Sequence, residues 1–315
     1  MRALVLDREL KLRADYPDPV PKPGESVVRV RMAGICGTDL ELARGYMSYR
    51  GVPGHEFVGV VAHTDTPALA GRRVVGEINA ACGRCGFCRA GLGRHCTDRT
   101  VLGILGRDGA FADYLRLPDE NLIPLPDSIS DELGVFVEPI AAVYEIFEQT
   151  LLGRDERILV LGDGRLGTLT ALVLRAENNA PLIAGRHRDK LDRLAALGLQ
   201  GRLEKDLKPG FDVVVDCTGN SEGLNRALDL VRPRGKLILK STAAAGATLN
   251  LAFAVINEIT IIGSRCGRFA PAIAALAAGK IDLRPLISEV YPLDDAIEAF
   301  AAAGQSPNFK VLMKL

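Results

Sequence analysis

The chain has 315 residues, 48% hydrophobic and 25% charged, an ordinary globular balance with length enough for two domains. Its 39 basic residues match its 39 acidic ones, so the formal net charge of zero excludes a global field that would gather nucleic acid or anionic lipid. There is no run of 18 apolar residues to span a membrane, and the opening residues 1–7 are apolar too briefly for a signal peptide, so a first strand and a cytosolic location are expected.

Residues 1–130 read as β-rich. Segment 27–32 (VVRVRM) partly alternates apolar and polar residues, as a half-buried strand does, and 57–61 (FVGVV) and 73–76 (RVVG) are further β-branched runs punctuated by Gly and Pro. The pattern changes near Asp131. Segment 157–161 (RILVL) is a buried-type strand, 166–177 a helix, 182–184 (LIA) a strand and 189–197 a helix; 211–216, 236–239 and 259–262 supply later strands. Strands alternating with helices predict a parallel sheet covered on both faces. An alanine-rich helix follows residue 268, and the strand-like 310–313 (KVLM) is expected to return to the first domain. The predicted organisation is therefore α/β, with residues 1–130 and 268–315 forming one domain and 131–267 the other.

Three constellations carry chemistry. Four of the seven cysteines, Cys82, Cys85, Cys88 and Cys96, are separated by two, two and seven residues. Gly83 and Gly86 let that loop curl until the thiolates converge, and four thiolates suit a closed structural zinc site, with nearby Arg84, Arg89, Arg94 and Arg99 to offset its charge. An iron–sulfur cluster is the rival reading of such spacing. The second constellation is Gly34-Ile35-Cys36-Gly37-Thr38-Asp39 with Gly54-His55-Glu56. One Cys, one His and one carboxylate with an open position make a catalytic zinc site, and Glu138 in Val137-Glu138-Pro139 is the candidate third ligand. Singly, Cys36 reads as a small buried hydrophobe, His55 as a satisfied loop histidine and Glu138 as a helix-start acid. The third is Gly162-Asp163-Gly164-Arg165-Leu166-Gly167, a G-x-G-x-x-G that follows a predicted strand and opens a predicted helix. Gly162 serves the turn, Gly164 the approach of a pyrophosphate and Gly167 the helix packing, while the helix N-terminus at Leu166 faces the phosphates.

Together, and in this order, these residues resemble the zinc-containing medium-chain dehydrogenase superfamily across nearly the whole chain. The resemblance implies a GroES-like catalytic domain interrupted by a Rossmann domain, two zinc ions per subunit, a nicotinamide dinucleotide, and a homodimer or homotetramer acting on a small alcohol or carbonyl substrate. Carried over, Cys36, His55 and Glu138 would bind the catalytic zinc, Glu56 would sit beside it and ligate it transiently, Thr38 would take the alcohol proton and Asp39 would orient His55. Thr218 would line the cofactor, and Lys310 would stand near its phosphates. A glutamate at position 138 departs from alcohol dehydrogenases with cysteine there and tilts the substrate toward a secondary alcohol, polyol or sugar. Neither His63 nor His187 has motif support as the outer member of a proton relay. Two other functions compete: a reductase of activated double bonds, which the zinc ligands oppose, and a non-catalytic zinc and nucleotide-binding protein, which Thr38 opposes.

Cofactor choice is read about 20 residues beyond the glycines, where an acid would favour NAD(H). There the sequence reads Gly185-Arg186-His187-Arg188, with Asp189 expected to cap the next helix. Gly185 leaves room, and Arg186 and Arg188 offer forks for a phosphate, so NADP(H) is the expected preference.

Overall fold

A computed structural model describes residues 1–242, 246–305 and 308–315. The chain divides into two units, Met1–Glu138 together with Phe269–Leu315, and Pro139–Arg268.

The first unit is built on a seven-stranded sheet. Its path runs Leu122–Pro124, Arg73–Gly76, Glu56–His63, Glu25–Gly34, Lys310–Lys314, Ile287–Pro292, and Tyr114–Pro118 also pairs with Glu25–Gly34. Glu25–Gly34 is the spine. Val28, Val30 and Met32 are buried, while Arg29 and Arg31 between them are exposed. That alternation fixes the register, because a slip of one residue would turn every apolar side chain to solvent. The register sets Gly34 opposite Glu56 on one side and opposite Leu312 on the other. Phe111 and Phe300 close the core edge to face, with centroids 5.5 Å apart, a geometry their ring quadrupoles favour. A small three-stranded sheet of Asn79–Ala80, Thr100–Leu102 and Gly106–Arg107 carries the cysteine loop. Ala80 pairs with Thr100, so the intervening segment leaves and returns at one point.

The second unit holds six parallel strands in the spatial order Gln200–Leu203, Leu182–Gly185, Ile158–Leu161, Phe211–Asp216, Val231–Leu239, Thr260–Gly263. Numbered along the chain this is 3-2-1-4-5-6, the doubly wound Rossmann order. Ile158–Leu161 is buried at all four positions, which explains its unbroken apolar run: helices cover both faces of a parallel sheet. Strand order reverses between Ile158–Leu161 and Phe211–Asp216, and in such sheets ligands bind beyond the carboxyl ends at that reversal. The two loops there are residues 162–164 and 217–220. Observed helices Arg165–Ala176 and Arg188–Ala196 begin one residue before their predicted starts. His187 holds the N-cap expected of Asp189, which lies in the first turn, where its charge still complements the helix dipole.

Candidate functional site

Cys36 lies two residues beyond the spine strand and is the N-cap of helix Gly37–Ala43. Its backbone N–H donates to Asp39 Oδ2 at 2.8 Å. The other Asp39 oxygen accepts the Gly54 N–H at 3.2 Å and lies 3.2 Å from His55 Nδ1. Asp39 is fully buried and ties the two halves of the constellation together. Potential ligand atoms of Cys36, His55 and Glu56 all lie within 4.8 Å of one another. With Asp39 on the Nδ1 side, Nε2 is the nitrogen of His55 open to a metal. Burial disfavours the charged His55 ring, but the Asp39 carboxylate and the nearby Cys36 outweigh it and hold the pKa well above the usual value.

Glu56 is fully buried. Lys310 Nζ donates to its Oε2 at 2.5 Å and also stands 5.6 Å from the centre of the Phe136 ring. Oε1 of Glu56 is buried with no hydrogen-bond partner. An orphaned carboxylate oxygen beside a thiol and an imidazole fits a cation and little else, since an unpaired buried acceptor costs about 1–3 kcal/mol. Gly34 is required beside this pair: a Cβ there would meet Glu56 Oε2 at 2.5 Å and Val135 Cγ1 at 2.6 Å.

Glu138 stands outside the 4.8 Å group, in the first turn of helix Val137–Gln149; the carboxylate that closes the cluster is Glu56, brought in by its register opposite Gly34. Lys310, expected near cofactor phosphates, is buried with its ammonium on Glu56, because its strand pairs next to the spine. Thr38 is half-buried at the rim, with Oγ1 3.9 Å from Cys36 Sγ.

The second cluster gathers Cys82, Cys85, Cys88 and Cys96 within the same 4.8 Å limit. Cys85 Sγ lies 3.4 Å from Cys88 Sγ, Cys82 Sγ lies 3.9 Å from Cys88 Sγ, and the Cys82 N–H donates to Cys96 Sγ at 3.3 Å. Backbone N–H groups converge on the sulfurs. The Cys88 N–H is the largest influence pulling the Cys85 thiol down to about 6, whereas burial pushes Cys88 up to about 12. Arg89 and Arg99 donate to the loop carbonyls of Arg84 and Cys96, so these two guanidiniums brace the turn. Four converging sulfurs with donors aimed at them fit a tetrahedral thiolate site.

In the second unit a cleft of about 300 Å³ is lined by Gly162, Asp163, Gly164, Ala184, Gly185, Arg186, His187, Glu204, Cys217, Thr218 and Asn220. Gly162 has φ +124°, and a Cβ at Gly167 would fall 1.9 Å from the Gly162 oxygen, so strand and helix approach only through glycines. A Cβ at Gly164 meets nothing within 4 Å: the face toward the cleft is open, and the first-turn N–H groups of Leu166 and Gly167 suit a pyrophosphate there. Thr218 donates its hydroxyl to Asp216 Oδ1 at 2.6 Å, which fixes it in the lining. Arg186 is committed elsewhere, with Nε 3.0 Å from Glu204 Oε2 and Nη2 2.9 Å from Glu222 Oε1. Arg188 is exposed in the first turn of its helix and is not among the lining residues. The sequence reading passed over Asp163 and Glu204. Asp163 stood inside the glycine motif at a position with no assigned role, and nothing local to Glu204 says that its strand ends beside the cleft.

Comparison with known proteins agrees with both units. Residues 22–127 match the model of the alcohol dehydrogenase GroES-like domain, and residues 186–278 match that of the zinc-binding dehydrogenases. An L-threonine 3-dehydrogenase of Rhizobium etli (strain CIAT 652) is 30% identical over 99% of this chain and 98% of its own length. An alcohol dehydrogenase from Escherichia coli CFT073, solved with NADH, is 25% identical with a TM-score of 0.91 over 100% of this chain and 99% of that one. A zinc-binding dehydrogenase from Sinorhizobium meliloti 1021, solved with NADP, is 25% identical with a TM-score of 0.88 and the same coverage.

Proposed function

The chain belongs to the zinc-containing medium-chain dehydrogenases, and we propose that it interconverts a secondary alcohol, polyol or sugar with its carbonyl, using zinc and a nicotinamide dinucleotide. The observation that carries this is the buried cluster of Cys36, His55 and Glu56 with the orphaned Glu56 oxygen. Cys36, His55 and Glu56 would hold zinc, whose chemistry would be Lewis acidity toward the substrate oxygen, and the cleft of the second unit would hold the dinucleotide that serves as hydride carrier. Asp39 fixes the ring orientation of His55, and Lys310 offsets the charge of Glu56. Thr38 Oγ1 takes the proton of the substrate alcohol at the rim of the cluster. Glu138 is the further carboxylate donor, trading places with Glu56. Cys82, Cys85, Cys88 and Cys96 hold a second, structural zinc, giving two per subunit.

We place the pyrophosphate at Gly162, Gly164 and Leu166, with Thr218 along the nicotinamide-side wall of the same cleft. Between the two dinucleotides, the sequence favours NADP(H) through Arg186 and Arg188. The pairing of Arg186 with two carboxylates and the position of Arg188 outside the lining weaken that preference. A second copy of the chain is the expected partner. Edge strand Thr260–Gly263 lies beside helix Leu251–Ile256, on which Leu251, Val255 and Ile256 are 62%, 75% and 79% exposed. An uncovered strand edge next to an apolar face is a surface that proteins normally pair. A cytosolic location suits seven free cysteines, four of them poised as thiolate ligands.

The test is a panel of secondary alcohols, polyols, sugars and L-threonine assayed with NAD⁺ and NADP⁺ on protein of measured metal content. We expect turnover that tracks zinc occupancy and is lost in Cys36→Ser. Turnover of activated alkenes alone, or full alcohol oxidation after zinc removal, would refute the proposal.

A further inference from the structure

Gly185 ends the strand Leu182–Gly185 at the position where an acid would meet the adenosine ribose. Its missing side chain promises empty space, but the space is filled. A Cβ at Gly185 would lie 2.1 Å from Asp163 Oδ2, 2.2 Å from Cγ and 2.4 Å from Cβ. Asp163 thus lays its carboxyl group over the point from which an acidic side chain on residue 185 would grow. The carboxylate is held there: the His187 backbone N–H donates to Oδ2 at 3.2 Å, and His187 Nδ1 lies 3.3 Å from the same oxygen. Asp163 lines the cleft beside Gly162 and Gly164 and is otherwise buried.

The charges around it point the same way. Facing this end of the cleft are Asp163, Glu204 and Arg186 with its second partner Glu222, and Arg226 Nε stands 4.0 Å behind Glu204. Three carboxylates oppose two guanidiniums, and Arg186 is already shared by two of the three. A 2′-phosphate dianion entering here would meet Asp163 and Glu204 and would have to pull Arg186 off both acids. A ribose diol would instead donate to a carboxylate already in place.

We infer that Asp163 is the residue that reads the adenosine ribose, reaching in from the middle of the glycine turn to the place normally served by the neighbouring strand end, and that it makes NAD(H) the preferred dinucleotide. This rests on reading the second unit as the dinucleotide-binding unit. Asp163 and Gly185 then form a complementary pair: the acid has moved one strand over, and glycine is the residue that lets it.

The test is equilibrium binding of NADH and NADPH to the zinc-loaded full chain, followed by nicotinamide fluorescence, with melting curves as the control for folding. Wild type is expected to bind NADH at least about tenfold more tightly than NADPH. Asp163→Asn should weaken NADH binding by about ten- to a hundredfold, the range for a hydrogen bond to a charged group, and leave NADPH binding equal or better. Gly185→Asp alone should lose NADH affinity to the clash. Asp163→Gly combined with Gly185→Asp should regain affinity over Asp163→Gly alone, because the carboxylate is returned to the strand end; a purely structural role for Asp163 would give no such rescue. Wild type that prefers NADPH, Asp163→Asn that weakens both dinucleotides equally, or a double variant without rescue would overturn the inference and leave the dinucleotide reading standing. Wild type that binds neither would overturn the dinucleotide reading itself.

Discussion

Replacing Lys310 with methionine removes the cation of the buried Lys310–Glu56 ion pair beside Cys36 and His55. The Lys310 and Glu56 side chains are 8% and 0% exposed, and no water reaches Glu56 to take over from the lost ammonium. Removing one partner of a buried pair costs about 3–5 kcal/mol, most of it the penalty of leaving a charge uncompensated. At roughly 2–4 °C per kcal/mol for a unit of this size, metal-free Lys310→Met should melt about 6–20 °C below metal-free wild type. Zinc at Cys36, His55 and Glu56 would supply the missing positive charge, so the loss should shrink to about half or less once zinc is restored. Urea denaturation followed by circular dichroism, on wild type, Lys310→Met, Glu56→Gln and the double variant in both metal states, gives a double-mutant cycle. Loss of the structural zinc on stripping affects all four proteins and cancels. A coupling below about 1 kcal/mol in the metal-free protein, or the same coupling in both states, would sink the claim that Glu56 faces both the lysine and the metal.

Three further outcomes are expected. Cys85→Ser should lower the zinc content from two per protomer to one and reduce stability while sparing alcohol oxidation in the protein that survives; iron with acid-labile sulfide in the purified wild type would refute the zinc assignment. Thr38→Val should keep zinc and lose about 10²–10⁴-fold in kcat, since a positioned proton acceptor contributes that much, and an unchanged kcat would remove Thr38 from the mechanism. In metal-stripped protein at pH 7, iodoacetamide should label Cys85 first. The Cys88 N–H holds its pKa near 6, so it is thiolate above that pH and its labelling should fade as pH drops through 6. Burial pushes Cys217 up to about 12, so it stays a thiol, and peptide mapping that finds Cys217 modified before Cys85 would contradict both assignments.

What could be read from sequence followed the range of the interactions. The cysteine loop was legible because its four ligands lie within 15 residues and its turns are glycine-led. The doubly wound sheet was legible because buried parallel strands are nearly pure Val, Ile and Leu, as in Ile158–Leu161. Gln200–Leu203 escaped notice: an edge strand reading Gln-Gly-Arg-Leu carries almost no apolar signal. Cys36, His55 and Asp39 converge, and the carboxylate within 4.8 Å of the Cys36 and His55 ligand atoms is Glu56, which the sequence offered as a neighbour of the metal and transient ligand. Glu138 was offered from Val137-Glu138-Pro139 and lies in the first turn of its helix, whereas Glu56 owes its place to strand register against Gly34. The same limit hid the Asp163 carboxylate behind Gly185. Periodicity says which face a side chain takes, and says nothing of a neighbour's side chain filling the gap that a glycine leaves.

The Glu56–Lys310 pair joins residues 254 positions apart. A ribosome adding roughly 5–20 residues per second needs on the order of ten seconds to a minute to deliver the lysine after the glutamate. Through that interval the nascent chain presents Cys36, His55 and Glu56 with strand Glu25–Gly34 unpaired on the side that Lys310–Lys314 will occupy. Zinc that arrives early meets a cluster whose acid has no other counter-charge; zinc that arrives late meets one oxygen of that acid already held by the ammonium and the other open. The order of metal capture and strand insertion during synthesis therefore decides which of its two cations Glu56 holds first, and after strand insertion its second oxygen stays open to the metal.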